Sequence, residues 1–384
     1  MKRVMINNIY IDHVRHLHDI RITLGVDAGT ARHLMLTGKN GSGKTSVLDA
    51  IAGYIEAVCA DNCPWDLSQR QDARHGIDLE FNMDDTDVRA LYVSGDCIFA
   101  HFGAQRSFVT DIPTHIAKVQ FADRYGIHDS PRQHFVRYLL DLKMTQALAA
   151  TGGRRERADE IQRWFDRLRD IMRDIYEDPT LTLEFDEETY EFSICEQGRE
   201  PFGFNDASDG FSAILDIVLG LMLRMVRKNG RATTFDMPGI ALVDEVENHL
   251  HLSLQKRVLP ILTSLFPFIQ FIVTTHSPFV LSSLDSAVVY DLESKTLVSG
   301  GLADNTYESI VEGYFNVDAL SDELRQKYDR YATLSAKDEL SEGELLEAGE
   351  LEIYLDEIPD YLAPGIATEY QRMKLELRNR VVGQ

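Results

Sequence analysis

The sequence predicts an α/β fold with a largely parallel core sheet, an N-terminal antiparallel β lobe and a short helical insertion. Three observations predict it. A glycine-rich turn, residues 38–45, separates the apolar run His33-Leu34-Met35-Leu36 from an amphipathic helix with Val47, Leu48, Ile51 and Ile55 on one face. Strand and helix alternate again from Ile240 to Val273, and strands joined by helical crossovers pair in parallel. Between these stretches, residues 107–180 become dense in arginine. There Ile161, Trp164, Phe165, Leu168, Ile171, Met172 and Ile175 recur at helical spacing, the signature of a helical insertion.

Taken in order, residues 3–37 read as short β segments at Val4-Met5-Ile6, Ile9-Tyr10-Ile11, Ile20-Arg21-Ile22 and 33–36. Residues 77–102 return to strand-like runs. LTLEFDEETYEFSIC, residues 181–195, reads as a hairpin turning near Asp186-Glu187-Glu188. A long apolar helix is expected from about Phe211 to Arg227, closed by Asn229-Gly230. The strand Ile240-Ala241-Leu242-Val243, a helix over about 250–265 and the strand from Ile269 to Val273 follow. Beyond residue 286 one strand is clear, Ala287 to Asp291. The stretch from Asp338 to Gln371 is rich in carboxylates, holds no Lys or Arg, and reads as a solvated helical face. The expected divisions are 1–106, 107–180, 181–300 and an acidic helical region at 301–384.

The 384 residues can bury a full core, and the formal charge of −23 is strongly acidic. Phosphate neutralisation by Lys and Arg supplies most of non-specific nucleic-acid affinity, so a surface coated in DNA is disfavoured. A local basic groove and a basic protein partner both stay open. Met1-Lys2-Arg3 leads to Ile6-Asn7-Asn8, which is no signal-peptide core, and the apolar stretch 211–226 is interrupted by Asp216 and Arg224. A cytoplasmic protein with no membrane segment is expected. Cys59, Cys63, Cys97 and Cys195 show no CxxC pair, so they read as buried or idle thiols. Arg154, Arg155, Arg157, Arg163, Arg167, Arg169 and Arg173 alternate with acids, many at i,i+4. They read as a salt-bridged helix or as a face for nucleic acid or a partner.

GKNGSGKT, residues 38–45, fits the phosphate-loop pattern G-x-x-x-x-G-K-[ST]. Gly38, Asn40, Gly41, Ser42, Gly43 and Ser46 belong to the cradle, where backbone N–H groups and a helix N-terminus face the phosphates. Lys44 would reach the β- and γ-phosphates of ATP, and Thr45 would hold Mg²⁺. IALVDE, residues 240–245, ends an apolar strand with Asp244 for the Mg²⁺ and Glu245 to polarise the attacking water. FIVTTHSP places His276 just past another buried strand, where it would face the γ-phosphate.

The runs LTGKNGSGKTSVLDAI, IYIDHVRHLHDIRITL and VDEVENHLHLSLQ…LFPFIQFIVTTHSPFVLSSL resemble ABC-type ATPases of the group that contains RecF, SMC and the overcoming-lysogenization-defect (OLD) proteins. The resemblance covers roughly residues 1–60, 95–108 and 203–285. It implies an ABC-ATPase head and assigns further roles. Gln105, in FGAQR, takes the Q-loop place that contacts Mg²⁺ and the nucleophilic water. ASDGF, residues 207–211, takes the place of the transporters' LSGGQ, with Ser208 and Gly210 at the positions that meet the γ-phosphate held by the opposite subunit. Asp209 and Phe211 depart from that signature, which sets the chain apart from transporters. His249 and His251 fall in the D-loop segment; read on a helix they would not share a face for a metal.

No Toprim pattern of a nuclease follows the head. The chain resembles the ATPase subunits of anti-phage systems, Septu-type and retron-linked, and that resemblance implies a homodimer through ATP-sandwiched heads, possibly a higher oligomer. It also implies a separate effector such as a nuclease. The alternatives are a RecF-like repair ATPase acting on DNA and, more weakly, a transporter ATPase.

Overall fold

The computed structural model describes residues 3–25, 32–60, 76–113, 115, 117–226, 235–299, 302, 322–337, 340–356 and 364–382. Asn229-Gly230 and Cys63 lie outside these. The chain divides into two compact units, Met1–Asp304 and Asn305–Gln384.

The first unit is built on two sheets. β1 (Ile6–Val14) pairs antiparallel with β2 (Leu17–Thr23) and with β4 (Ile77–Phe81), giving the order β2-β1-β4. One continuous β1 replaces the two short runs read from the sequence; Asn7-Asn8 is absorbed as an irregularity opposite β4 between Ile6 and Asn8. The core sheet runs β11-β10-β3-β9-β8-β5, from β3 (His33–Thr37), β5 (Ile98–Phe102), β8 (Gly239–Val243), β9 (Ile269–Thr274), β10 (Ala287–Asp291) and β11 (Thr296–Ser299). All its pairings are parallel except β10 with β11. The carboxyl ends of β3, β9, β8 and β5 therefore open on one side, and the candidate residues follow those ends.

α1 (Lys44–Cys59) buries Val47, Leu48, Ile51 and Ile55, as its periodicity predicts, and its buried face shares one apolar cluster with both sheets. Residues 77–102 are not strand throughout. α2 (Asp85–Val93) intervenes, with Asp84 before it and Asp85 and Asp87 in its first turn, where carboxylates complement the helix N-terminus. The insertion holds α3 (Phe135–Thr151) and α4 (Arg155–Tyr176), packed together, after a stretch whose described residues, 103–113, 115 and 117–130, form no helix or strand. Every apolar residue of α4 singled out above is buried. Its arginines pair at i,i+3 rather than i,i+4: Arg157 with Glu160 at 2.6 Å, Arg169 with Asp166 at 2.9 Å and Arg173 with Asp170 at 3.6 Å.

β6 (Thr182–Phe185) and β7 (Phe192–Cys195) form the expected hairpin. α5 (Asp209–Met225) is buried along nearly its whole length, and its two charged interruptions have partners. Asp216 pairs with Arg132, while Arg224 donates to the carbonyls of Phe99, Gly126 and Ile127. The helix expected over 250–265 is broken into α6 (Leu252–Gln255) and α7 (Val258–Leu265). Pro260 explains the break, since it has no N–H for the Lys256 carbonyl and its ring would clash there. α8 (Pro278–Leu281) follows β9. β11 is a second strand after residue 286, set up by Asp291, whose Oδ1 accepts the N–H groups of Glu293 and Ser294.

The second unit holds α9 (Asp322–Ser335), α10 (Glu342–Asp356) and α11 (Pro364–Val382) around Tyr331, Leu334, Leu355 and Leu377. Its carboxylates are more than a solvated face. Glu347 takes a two-point bond from Arg330 at 2.8 and 2.7 Å, and Glu352 accepts from Tyr331 at 2.8 Å.

Candidate functional site

The phosphate loop leaves β3 at Gly38 and enters α1 at Lys44. Gly38, Gly41 and Gly43 have φ of 132°, 83° and 96°, a region that side chains with a Cβ avoid. Gly43 is doubly constrained, because a Cβ there would lie 2.9 Å from Leu17 Cδ1. The Lys44 ammonium folds back on the loop, donating to the carbonyls of Gly38 at 2.9 Å and Lys39 at 3.1 Å. Burial pulls its pKa down, and Glu245, Glu247 and Asp244 oppose that shift.

At the end of β8, Asp244 is buried and fully engaged. Its Oδ2 accepts the Thr45 hydroxyl at 2.9 Å and its Oδ1 accepts the Thr274 hydroxyl at 2.6 Å. Thr274 also accepts the N–H of Glu245 at 2.7 Å, tying β9 to β8 at the point where the acidic pair leaves the sheet. Glu245 itself is held at φ 45°, an uncommon conformation for a residue with a Cβ. Arg106, four residues past the end of β5, stabilises that turn. Its guanidinium donates to the carbonyls of Asp244 and Glu245, the latter at 2.7 Å, and to Gly103 at 2.9 Å. Burial lowers the Arg106 pKa to about 10, against the pull of Glu247, Asp244 and Glu245. His276 follows β9, and its N–H donates to Glu247 Oε1 at 2.5 Å. Its imidazole pKa is pushed down by burial and by the Lys44 charge, so the ring is biased to the neutral form.

A cleft of about 210 Å³ brings together Asn40, Gly41, Gly43, Lys44, Thr45, Ser46, Glu245 and His276. Its wall also includes Arg15 and His16 from the turn between β1 and β2. Asp244 lies beneath it through Thr45, and Ser42 and Gly38 complete the loop behind, with the Ser42 hydroxyl buried and without a partner among the described residues. Gln105 is exposed and does not line the cleft. Ser208 and Gly210 are not in the cleft either. Ser208 is an exposed N-cap of α5 whose hydroxyl makes no capping bond to its own helix. Gly210 packs on the D-loop segment so closely that a Cβ would lie 2.7 Å from the His249 carbonyl oxygen. His249 and His251 precede α6 instead of lying on a helix, and His249 has φ 64°.

Thr274, Arg106, Glu247, Arg15 and His16 were not legible as site residues. Each acts across a long sequence separation, 138 residues for Arg106 and Asp244. Arg15 and His16 fall between the runs 9–11 and 20–22, where the sequence carries no signal of a site, and the structure places them in the two-residue turn between β1 and β2.

A phosphate loop after β3, an Asp-Glu pair after β8 and a histidine after β9 all stand at one end of a parallel sheet, an arrangement similar to that of ABC-type ATPases. Residues 118–282 match the family described as "AAA domain, putative AbiEii toxin, Type IV TA system". Over 137 residues the chain is 34% identical to the Septu protein PtuA of Bacillus mycoides (strain KBAB4), a stretch covering 34% of this chain and 19% of that protein. It is 39% identical over 88 residues to the "Retron Ec83 probable ATPase" of Escherichia coli, covering 23% of this chain and 16% of that one. The chain thus spans less than a quarter of the length of these curated relatives. Among solved structures it is similar to an SMC head bound to the C-terminal winged-helix domain of ScpA, with TM-score 0.43 and 15% identity over 78% of this chain and 98% of the other.

Proposed function

We propose that the chain binds and hydrolyses ATP with Mg²⁺ as a cytoplasmic, nucleotide-driven dimeric switch of anti-phage defence, controlling a separate effector such as a nuclease. The observation that carries the reading is the division of the site. Lys44, Thr45, Glu245 and His276 converge on one cleft, while Ser208 stands outside it with its helix N-terminus exposed. One phosphate loop satisfies only part of a γ-phosphate, and a helix N-terminus from a second copy can supply the remaining donors.

The residues fit the cofactor. The loop backbone and Lys44 suit the phosphates, and Thr45 with Asp244 supplies the hydroxyl and carboxylate that a Mg²⁺ ion takes beside phosphate oxygens. Bound Mg²⁺ would neutralise charge on the phosphates. Glu245 then takes a proton from the attacking water, and neutral His276 can hold a hydrogen bond at the γ-phosphate side of the cleft. The names of the Septu and retron relatives support the defence setting over the repair alternative, and no helix among the described residues is long and apolar enough to cross a membrane.

Phosphate release from Mg²⁺-ATP tests the chemistry. Wild type should turn over, and Glu245→Gln should be on the order of 100-fold slower with nucleotide binding retained, since the amide is no base. Equal turnover in the two proteins would remove Glu245 from the catalytic role.

A further inference from the structure

Away from the nucleotide cleft, a cavity of about 450 Å³ lies between the β6–β7 hairpin and the chain on either side of Phe204. Ile112 and Tyr190 stand at its mouth, 65% and 41% exposed, and Phe192 and Phe204 lie buried in its wall. Phe204 is locked edge-on against Phe108 and Phe135, so this wall is a rigid aromatic surface. The described lining includes two carboxylates, Glu191 and Asp206, and no Lys or Arg. Exposed Asp186, Glu187 and Glu188 at the hairpin tip extend the negative field. An apolar hole with an acidic rim repels nucleic acid and acidic surfaces, and it complements an apolar side chain flanked by positive charge.

The cavity is wired to both halves of the nucleotide site. Asn205 exchanges two hydrogen bonds with the Thr110 backbone, at 2.9 and 3.0 Å. The Phe108 N–H donates to the Ser212 hydroxyl in the first turn of α5 at 2.6 Å. Arg106, two residues earlier, holds the Glu245 carbonyl. On the other side, the short turn Phe204–Asp206 ends two residues before Ser208.

We propose that this groove docks a segment of a partner protein that presents an aromatic or aliphatic side chain flanked by Lys or Arg. The docking stands on the groove alone; its coupling to nucleotide rests on the dimeric-switch reading.

The test is selection of a random 12-residue peptide library on the full chain without nucleotide, followed by anisotropy with one enriched, fluorescein-labelled peptide. Enriched sequences should place an apolar residue beside Lys or Arg. Ile112→Arg, at an exposed position that keeps the fold, should weaken the labelled peptide at least about tenfold, as should Glu191→Lys. Acidic enriched sequences, or a peptide indifferent to both substitutions, would overturn the docking site. A final measurement uses Glu245→Gln with saturating ATP. A change in peptide affinity supports the coupling, and an unchanged affinity overturns the coupling while leaving the groove in place. If the chain binds no ATP at all, the switch reading fails and the peptide result still decides the groove.

Discussion

Thr45 and Asp244, 199 residues apart in the chain, meet through a 2.9 Å hydrogen bond from hydroxyl to carboxylate. The bond joins the phosphate loop to the acidic pair that follows β8. It is possible because β3 and β8 flank β9 in the sheet, and Thr274 at the end of β9 holds the other oxygen of Asp244. Phosphate loop and acidic pair are therefore preorganised by strand order.

Lys44 is the cation of this cleft that points into the phosphate loop, and its two bonds to loop carbonyls are ones it can exchange for phosphate oxygens. Lys44→Ala is expected to raise the Kd for a fluorescent ATP analogue at least about tenfold, a loss of roughly 1.4 kcal/mol or more. Wild-type affinity in this variant would end the phosphate-loop assignment.

Arg106 acts on the chemistry through the backbone of others. With its guanidinium removed, the Asp244 carbonyl loses the Arg106 donor and the Glu245 carbonyl keeps the Asn248 N–H, so the φ 45° conformation of Glu245 loses part of its support. Arg106→Ala should cost about 2–4 kcal/mol of stability and lower kcat more than it raises KM. Arg106→Lys, which keeps the charge and part of the donor set, should recover a fraction of kcat. Thermal melts and steady-state kinetics separate the two effects. A variant with normal kcat would show that the turn holds without Arg106.

Much of this site was legible because its chemistry is written in contiguous runs. GKNGSGKT, IALVDE and FIVTTHSP each carry their own strand or helix context. What escaped depends on partners distant in sequence. Thr274 reads as one more β-branched strand residue until β9 is laid beside β8, and Arg106 is hidden beside Gln105 until Asp244 arrives from 138 residues on. The fold shows the same split. The parallel sheet followed from alternation, but α2 was hidden by its weakly apolar sequence, with Val88 its one buried residue. The break between α6 and α7 follows from one proline that the apolar pattern outweighed.

His33 gives the fold a predictable acid sensitivity. It lies at the start of β3 and accepts the N–H of Phe271 at 3.1 Å on Nδ1, a bond that requires that nitrogen unprotonated. Burial drops its pKa from 6.5 to about 4. As pH falls below 6.5 the unfolded chain takes the proton first, so this contribution is fully present above 6.5 and is lost progressively down to about pH 4. Between pH 7 and 5 wild type should lose about 2 kcal/mol from this group. His33→Asn, whose side-chain oxygen can accept the same N–H without titrating, should lose less over that interval. Urea unfolding of both proteins at the two pH values checks it, and parallel losses would show that His33 is not the titrating group.

The exposed start of α5 makes the dimer testable separately from nucleotide binding. Ser208 caps a helix whose next residues, from Ser212 onward, are buried, so its position is fixed while its hydroxyl stays free of its own helix. Gly210 brings that helix start against the His249 carbonyl, with no space for a side chain. A γ-phosphate presented by a second copy would meet both the Ser208 hydroxyl and the N–H groups of the first turn, where the helix dipole favours negative charge. Ser208→Arg adds bulk at that seam without touching Lys44, Thr45 or Asp244. Its exposure means that the fold should survive the change. We expect normal binding of fluorescent ATP, turnover lowered by at least about 100-fold and no ATP-dependent association. Light scattering of Glu245→Gln, with and without Ser208→Arg and saturated with Mg²⁺-ATP, provides the comparison. The single variant should gain mass with ATP and the double variant should stay monomeric. If both show the same mass distribution, Ser208 lies outside any nucleotide-driven interface, and the helix start must be explained by packing alone.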